Sequence, residues 1–400
     1  MPSGTWLAFT IGLGVALSAC SSSPLSTSDD GAPGSGGGAA GSGGGPSSLP
    51  MPSIVPSAVD LVPLYAAPRG FSATALAFDP LREGELWVTL RQFPSDAPCL
   101  MIAPSGCAAL EGEVALVQQA TSDSPLMVLK KDGNAWHFMR RPTAIAFGDN
   151  GHLATCGEAR TDNYEDEAVD YAGPVLWSSE PATFGATPAP GQNGTHLDML
   201  HESPFCMGIA FDHDNAYWVF NGQIGSLDHY DFHAPHVIGG EDHSDGELAR
   251  YVTGQLSRVP EIPSHMQLDA EHRELFVADT GNARVVRLAV DTGTVGPDVT
   301  TFDPITVHHA MLGARLDTLV PPGRLTAPSG LALSSDALIV TDNATSKIWW
   351  FERDGSVIGS VSTELPAGSL SGIAVGPDAQ LYVSDLLTGT AYRVVPRAAQ

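Results

Sequence analysis

Six times along this 400-residue chain a short apolar phrase recurs, followed within about a dozen positions by a second strand-like phrase ending in a small or polar residue. The first three copies are Thr74-Ala-Leu-Ala-Phe with Leu86-Trp-Val-Thr, Thr143-Ala-Ile-Ala-Phe with Leu153-Ala-Thr-Cys, and Met207-Gly-Ile-Ala-Phe with Tyr217-Trp-Val-Phe. The others are His265-Met-Gln-Leu with Leu275-Phe-Val-Ala-Asp279, Gly330-Leu-Ala-Leu with Leu338-Ile-Val-Thr-Asp342, and Gly372-Ile-Ala-Val with Leu381-Tyr-Val-Ser-Asp385. Runs this short cannot make a stable helix, but they suit strands buried on both faces, and the turn-rich stretches between them let the chain reverse.

One small sheet cannot bury its own faces, so such units must stack against copies of themselves. The pattern predicts an all-β fold, a six-bladed β-propeller. Taking Leu76, Ile145, Ile209, Met266, Leu331 and Ile373 as equivalent, the repeat steps are 69, 64, 57, 65 and 42 residues. A bare blade needs roughly 40 to 50 residues, so the earlier blades carry insertions, and insertions become loops in which sites are built. The last blade has a third strand at Thr390-Ala-Tyr-Arg-Val-Val-Pro396 and lacks a fourth; Asp60-Leu-Val-Pro-Leu-Tyr65 is expected to supply it and close the ring.

Three segments are expected: a leader over 1–19, a lipidated cysteine with a flexible linker over 20–54, and the propeller over 55–400. The apolar stretch ending in Leu17-Ser-Ala-Cys20 resembles a bacterial lipoprotein signal, although no Lys or Arg precedes the cysteine. That resemblance implies lipid on Cys20 and a cell-envelope location, with Ser21 pointing to the outer membrane if the host is Gram-negative, and membrane contact through the lipid alone. Residues 21–50 are nearly all Ser, Gly, Pro and Ala and cannot bury enough surface to fold; a coil of that length spans roughly 30 Å.

The formal charge of −26, with Lys130, Lys131 and Lys347 the three lysines, argues against a nucleic-acid partner, which needs clustered cations. A monomer that takes a small-molecule or protein ligand is expected. Export permits disulfides. Cys99 and Cys107 lie within one inserted loop; Cys156 ends the second strand of blade two and Cys206 begins the inner strand of blade three, on the same face. The expected pairs are Cys99 with Cys107 and Cys156 with Cys206, the rival being a thiolate metal ligand at Cys156 or Cys206.

Val277-Ala-Asp-Thr-Gly-Asn-Ala-Arg-Val-Val-Arg-Leu288 is similar to the signature of NHL repeats, with weaker versions at Val340-Thr-Asp342 and Val383-Ser-Asp385. The resemblance implies a propeller that binds proteins, RNA, sugars or small ligands, or that is an enzyme; fold does not choose among these. The gluconolactonase and regucalcin group, also six-bladed, carries Asn or Asp metal ligands where this chain has Thr143, Phe205, Ser264 and Ser329, which argues against that catalytic site. The peptidyl-hydroxyglycine lyase group holds zinc with histidines near the channel, and no continuous motif of it is found.

Nine of thirteen histidines fall between 196 and 272, and neutral imidazole is the commonest metal ligand. His137, His196 and His201 lie in segments leading into inner strands, and His265 stands where blades three, five and six have Gly208, Gly330 and Gly372. His137, His201 and His265 are expected to converge at the channel mouth and to hold zinc, or copper with Met207 or Met266; the alternative for His265 is a packed ring bonded to a neighbouring carbonyl. A second group, His233, His236 and His243 with Asp242 and Asp245, can meet around an ion if Gly239-Gly240 folds its loop back. Strand order places that loop on the opposite face from His265. His213, His229 and His272 read as surface residues and His308-His309 as a loop pair. Residues 158–170 carry six acids and are expected to frame the pocket. The functional expectation is a lipid-anchored ligand-binding propeller with a histidine-rich metal site, or alternatively a metal-dependent hydrolase or lyase.

Overall fold

The computed structural model describes residues 55–66, 70–92, 111–161 and 172–397. A short strand, β1 (Val59–Pro63), comes first. Blade one is β2 (Phe71–Phe78), β3 (Leu86–Gln92), β4 (Gly112–Gln118) and β5 (Leu126–Lys130), and a one-turn helix, α1 (Ala135–Phe138), leads to blade two. Blade two is β6 (Pro142–Phe147), β7 (His152–Gly157), β8 (Val175–Ser178) and β9 (His196–Met199); blade three is β10 (Cys206–His213), β11 (Ala216–Asn221), β12 (Ser226–Asp231) and β13 (Glu247–Tyr251). Blade four begins with β14 (Met266–Asp269), β15 (Glu274–Asp279) and β16 (Arg284–Ala289). A hairpin, β17 (Thr294–Asp298) and β18 (Val307–Leu312), then intervenes before its outer strand β19 (Arg315–Val320). Blade five is β20 (Pro328–Leu333), β21 (Leu338–Asp342), β22 (Lys347–Phe351) and β23 (Val357–Ser362); blade six is β24 (Leu370–Val375), β25 (Leu381–Asp385) and β26 (Ala391–Pro396).

The inner strands β2, β6, β10, β14, β20 and β24 each neighbour the next, and β24 returns to β2, so the six sheets form a closed ring. β1 pairs antiparallel with β26, Val59 opposite Pro396 and Pro63 opposite Tyr392. Strand β1 thus completes the last blade and removes its open edge, as the sequence predicts. Apolar clusters fill the spaces between consecutive blades. Trp87 of blade one packs with Trp177 of blade two, for example, and Trp218 of blade three lies with Leu275 and Val277 of blade four.

Near the axis the blades are tied by hydroxyls. Thr143 Oγ1 donates to the Cys206 carbonyl at 2.7 Å, Thr341 Oγ1 to the Ser371 carbonyl at 2.6 Å and Ser371 Oγ to the Thr74 carbonyl at 2.7 Å. Of the four positions compared above with the metal ligands of the regucalcin group, Thr143 serves here as such a clasp, and Ser329 Oγ donates to the Pro263 carbonyl at 2.8 Å. Glycine is needed beside them: a Cβ on Gly208 would lie 2.1 Å from the Ser264 carbonyl oxygen, and one on Gly330 2.1 Å from that of Ser371.

The repeated aspartates are structural as well. Buried Asp279 accepts from the Ser257 amide at 2.9 Å, Asn282 Nδ2 at 2.8 Å and Arg284 Nε at 2.7 Å, while Asp342 and Asp385 bind nearby amides. Cys156 and Cys206 form a disulfide between blades two and three, Cα to Cα 5.8 Å. Cys20, Cys99 and Cys107 lie outside the described residues, as do 162–170 of the acidic segment.

One departure from the simple repeat decides the site. The β17–β18 hairpin belongs to blade four by sequence but joins the sheet of blade three, β18 running parallel to β13 with Glu247 opposite Val307 and Tyr251 opposite Met311. His308 and His309, expected in a loop, are therefore in a strand.

Candidate metal centre

Four segments meet at the outer edge of blades two and three: α1, the outer strand β9, the loop 232–246 between β12 and β13, and the loop 299–306 at the tip of the donated hairpin. They enclose an open cleft of about 420 Å3 whose wall includes His137, His196, His201, His243, Phe302 and Glu241.

The loop 232–246 does fold back on its glycine pair, but against the neighbouring blade. The His236 amide donates to the Leu197 carbonyl at 3.1 Å and the Gly239 amide to the His196 carbonyl at 2.9 Å; the Asn193 amide returns a bond to the Gly239 carbonyl at 3.0 Å. Gly239 has φ of +67°, and a Cβ there would meet the Asn193 amide and the Gly194 carbonyl at 2.8 Å, so this docking requires glycine. The His236 ring packs on Gly240.

Four of these imidazoles are oriented through Nδ1. His196 Nδ1 bonds the Asn193 carbonyl at 2.9 Å, His236 Nδ1 the Val237 carbonyl at 2.7 Å, His243 Nδ1 the Asp198 carboxylate at 2.8 Å and His201 Nδ1 the Asp303 carboxylate at 3.0 Å. Such bonds fix ring orientation and make the other nitrogen a better ligand. Ring centroids lie 4.9 Å apart for His196 and His236, 5.5 Å for His236 and His243, 6.0 Å for His201 and His243, and 6.3 Å for His137 and His201. The buried Nε2 of His236 has no hydrogen-bond partner. One ligand atom each from Asp198, His236 and His243 lies within 4.8 Å of the others.

The electrostatics suit a cation. Burial raises the Asp198 carboxyl above its ordinary pKa, against the pull of its bond to His243. Burial and the nearby His236 lower the His196 imidazole to about 3, so it is neutral at pH 7. A buried carboxylate is costly without a compensating positive charge. Glu202, raised to about 7 by burial, accepts from the amides of Phe302 and Asp303 and so ties the hairpin tip over His201.

The structure therefore joins two groups that the sequence reading kept apart, and removes members of each. His137 and His201 meet His236 and His243, with His196 and Asp198 added. His265 is not among them: its ring is buried at the axis, with Nε2 donating to the Thr143 carbonyl at 3.0 Å. His233 faces Glu247 at 3.3 Å and Asp231 at 3.6 Å on the surface. Met207 and Met266 belong to the core between blades three and four, and Met199 is the methionine on the cleft wall. Cys156 and Cys206 are spent on their disulfide rather than on metal.

The reason is radial. A segment leading into an inner strand begins at the outer edge, and His201 stands two residues past β9, five before Cys206, so it is still far from the axis. The four strands of a blade also accumulate a twist of roughly 60 to 75°, so a rule about faces that holds at the axis fails at the rim. Asp198 was missed because it sits inside a four-residue strand with no motif. The signal available was His196-Leu-Asp198 itself, two potential ligands on one side of a strand.

No protein family and no curated protein is matched by the sequence. Among solved structures, the chain is similar to regucalcin, a calcium-binding protein from Agrobacterium tumefaciens strain C58, with 13% identity, a TM-score of 0.48 and coverage of 85% of this chain and 96% of that one. An auxiliary nutrient binding protein from Bacteroides ovatus has 10% identity and a TM-score of 0.48 over 82% of this chain and 70% of its own. Virginiamycin B lyase from Staphylococcus aureus has 9% identity and a TM-score of 0.43 over 84% and 99%. At these identities no functional residue is carried across.

Proposed function

We propose that this is an extracytoplasmic, lipid-anchored propeller of NHL type that binds its ligand through a transition-metal site in the rim cleft between blades two and three. The observation that carries the reading is the convergence of one ligand atom each from Asp198, His236 and His243 to within 4.8 Å of one another, with His196 and His201 held beside them. A set of two imidazoles and a carboxylate suits zinc, whereas calcium and magnesium prefer oxygen alone. Copper is the rival, favoured by the thioether of Met199 on the cleft wall. Three protein ligands beside an open cleft leave a coordination position for a bound molecule. The Cys156–Cys206 disulfide is compatible with export, and Leu17-Ser-Ala-Cys20 supports the lipid anchor.

The test is elemental analysis of untagged protein after zinc loading and gel filtration. One equivalent of zinc is expected in the wild type and in His265→Ala, and its loss in His243→Ala and Asp198→Asn. Protein that retains no zinc or copper after loading, or that loses it only in His265→Ala, would overturn the reading. A metal-dependent hydrolase or lyase is the second reading, favoured by Glu241 on the wall of the cleft, where an acid can serve as proton donor or acceptor. Chelator-sensitive turnover that is lost in Glu241→Gln, with zinc retained, separates it from a binder.

A further inference from the structure

A second charged cluster lies elsewhere, at the mouth of the axial channel. Arg91 is next to last in β3, Glu158 follows β7, Arg141 precedes β6, and Arg258 and Glu261 lie in the segment leading to β14, so side chains from blades one, two and four meet here. Glu158, 4% exposed, accepts from Arg258 Nη1 at 2.5 Å, Arg91 Nη1 at 3.3 Å and the Glu261 amide at 3.0 Å. Glu261 has a half-exposed side chain, and its carboxylate bridges Arg91 Nη2 at 3.1 Å and the Arg141 guanidinium.

Among the described residues, three guanidinium groups here face two carboxylates. The buried Nε of Arg141 has no acceptor. Burial lowers Arg91 below its ordinary pKa, so the cluster holds a desolvated cation, in a chain whose formal charge is −26. Buried charge is normally matched, and an excess of guanidinium in so acidic a protein calls for an anion. The backbone is strained at the same place. Arg141, Phe205 and Glu261 have φ of +46°, +54° and +71°, a region that side chains of this bulk rarely adopt and that clusters at ligand clamps. The Arg258 guanidinium lies 4.2 Å from the Phe205 ring centroid.

We infer that this cluster binds a carboxylate-bearing organic anion, whose carboxylate takes the place that Glu261 holds between Arg91 and Arg141. Glu158 is fixed by burial and by its several donors; Glu261 is exposed, strained and replaceable. Guanidinium forks match a planar carboxylate in a way that an ammonium does not.

Calorimetric titration of the full-length, untagged protein with glutarate at low salt, after metal has been stripped with 1,10-phenanthroline and dialysed away so that the rim site plays no part, tests this. Glu261→Gln is expected to bind glutarate roughly tenfold tighter than the wild type, because its competing carboxylate is gone. Arg141→Lys, which keeps the charge without the fork, is expected to weaken binding by a similar factor, with circular dichroism and the melting temperature confirming the fold of each variant. No heat from Glu261→Gln up to about 10 mM glutarate, or unchanged affinity in Arg141→Lys, overturns the inference. So does binding that appears only when Asp162, Glu165, Asp166, Glu167 and Asp170 are changed to amides, since the chain's own acids are then the occupant.

Discussion

His265 stands where three other blades have glycine, and its imidazole crosses from blade four to the Thr143 carbonyl of blade two. The sequence marks the position as unusual and leaves two roles open; the hydrogen bond decides for packing, because the ring fills the axis and finds one carbonyl rather than other ligands. Burial lowers this imidazole to about 4, and His196 to about 3, against about 6.5 in an unfolded chain. Between those values the unfolded state binds more protons than the folded one, so the two histidines make stability fall as pH drops below 6.5. Glu202, raised to about 7, works the other way between its unfolded value near 4.5 and 7. For His265 alone the loss between pH 6.5 and pH 4.5 is on the order of 2 kcal/mol. Urea unfolding at the two pH values is expected to show that much less pH dependence in His265→Asn than in the wild type; equal slopes would show that the imidazole is not buried neutral.

At the scale of elements, the metal centre depends on two segments that leave their own blades. The loop 232–246 bonds to β9 of blade two, and the β17–β18 hairpin crosses from blade four to extend blade three. The hairpin brings Asp303 to His201, whose amide and Nδ1 it accepts at 2.7 and 3.0 Å. Asp303→Ala strands both donors in a buried place, and a loss of roughly 1 to 3 kcal/mol in stability is expected from denaturant midpoints. Zinc affinity, followed by competition with a chromophoric chelator, is expected to fall about 10- to 100-fold as His201 loosens beside the ligands. A variant that keeps full affinity would remove the hairpin from the site. The glycine pair that lets the loop turn was legible in the sequence, whereas its landing place was not. Residues 294–298 and 307–312 carry no copy of the repeated phrase, and parallel pairing with β13 becomes available only once blade three exposes that edge.

The described residues of the propeller form a ring held by inter-blade packing, hydroxyl clasps, a closing strand and a disulfide. Cys156 and Cys206 are 50 residues apart, and in the chain-entropy picture closing a loop of that length stabilises by roughly 4 kcal/mol. The double variant Cys156→Ser with Cys206→Ser is expected to lose about that much in reversible denaturant unfolding and to keep the ring; an unchanged midpoint would mean that the crosslink adds nothing. Blade number, the closing strand and this disulfide were all legible, because each rests on local pattern: a strand phrase repeated six times, a missing fourth strand, and two cysteines on the same face of adjacent blades, one ending a second strand and the other beginning an inner strand. The sequence by itself also determined that histidines would concentrate in the middle third of the chain. Which of them meet was decided by tertiary structure alone. Radial distance, blade twist and a hairpin lent to a neighbouring blade are properties of the assembled ring, and these put His137, His201 and His243 on one rim cleft, with His236 packed beside His243, while leaving His265 at the axis.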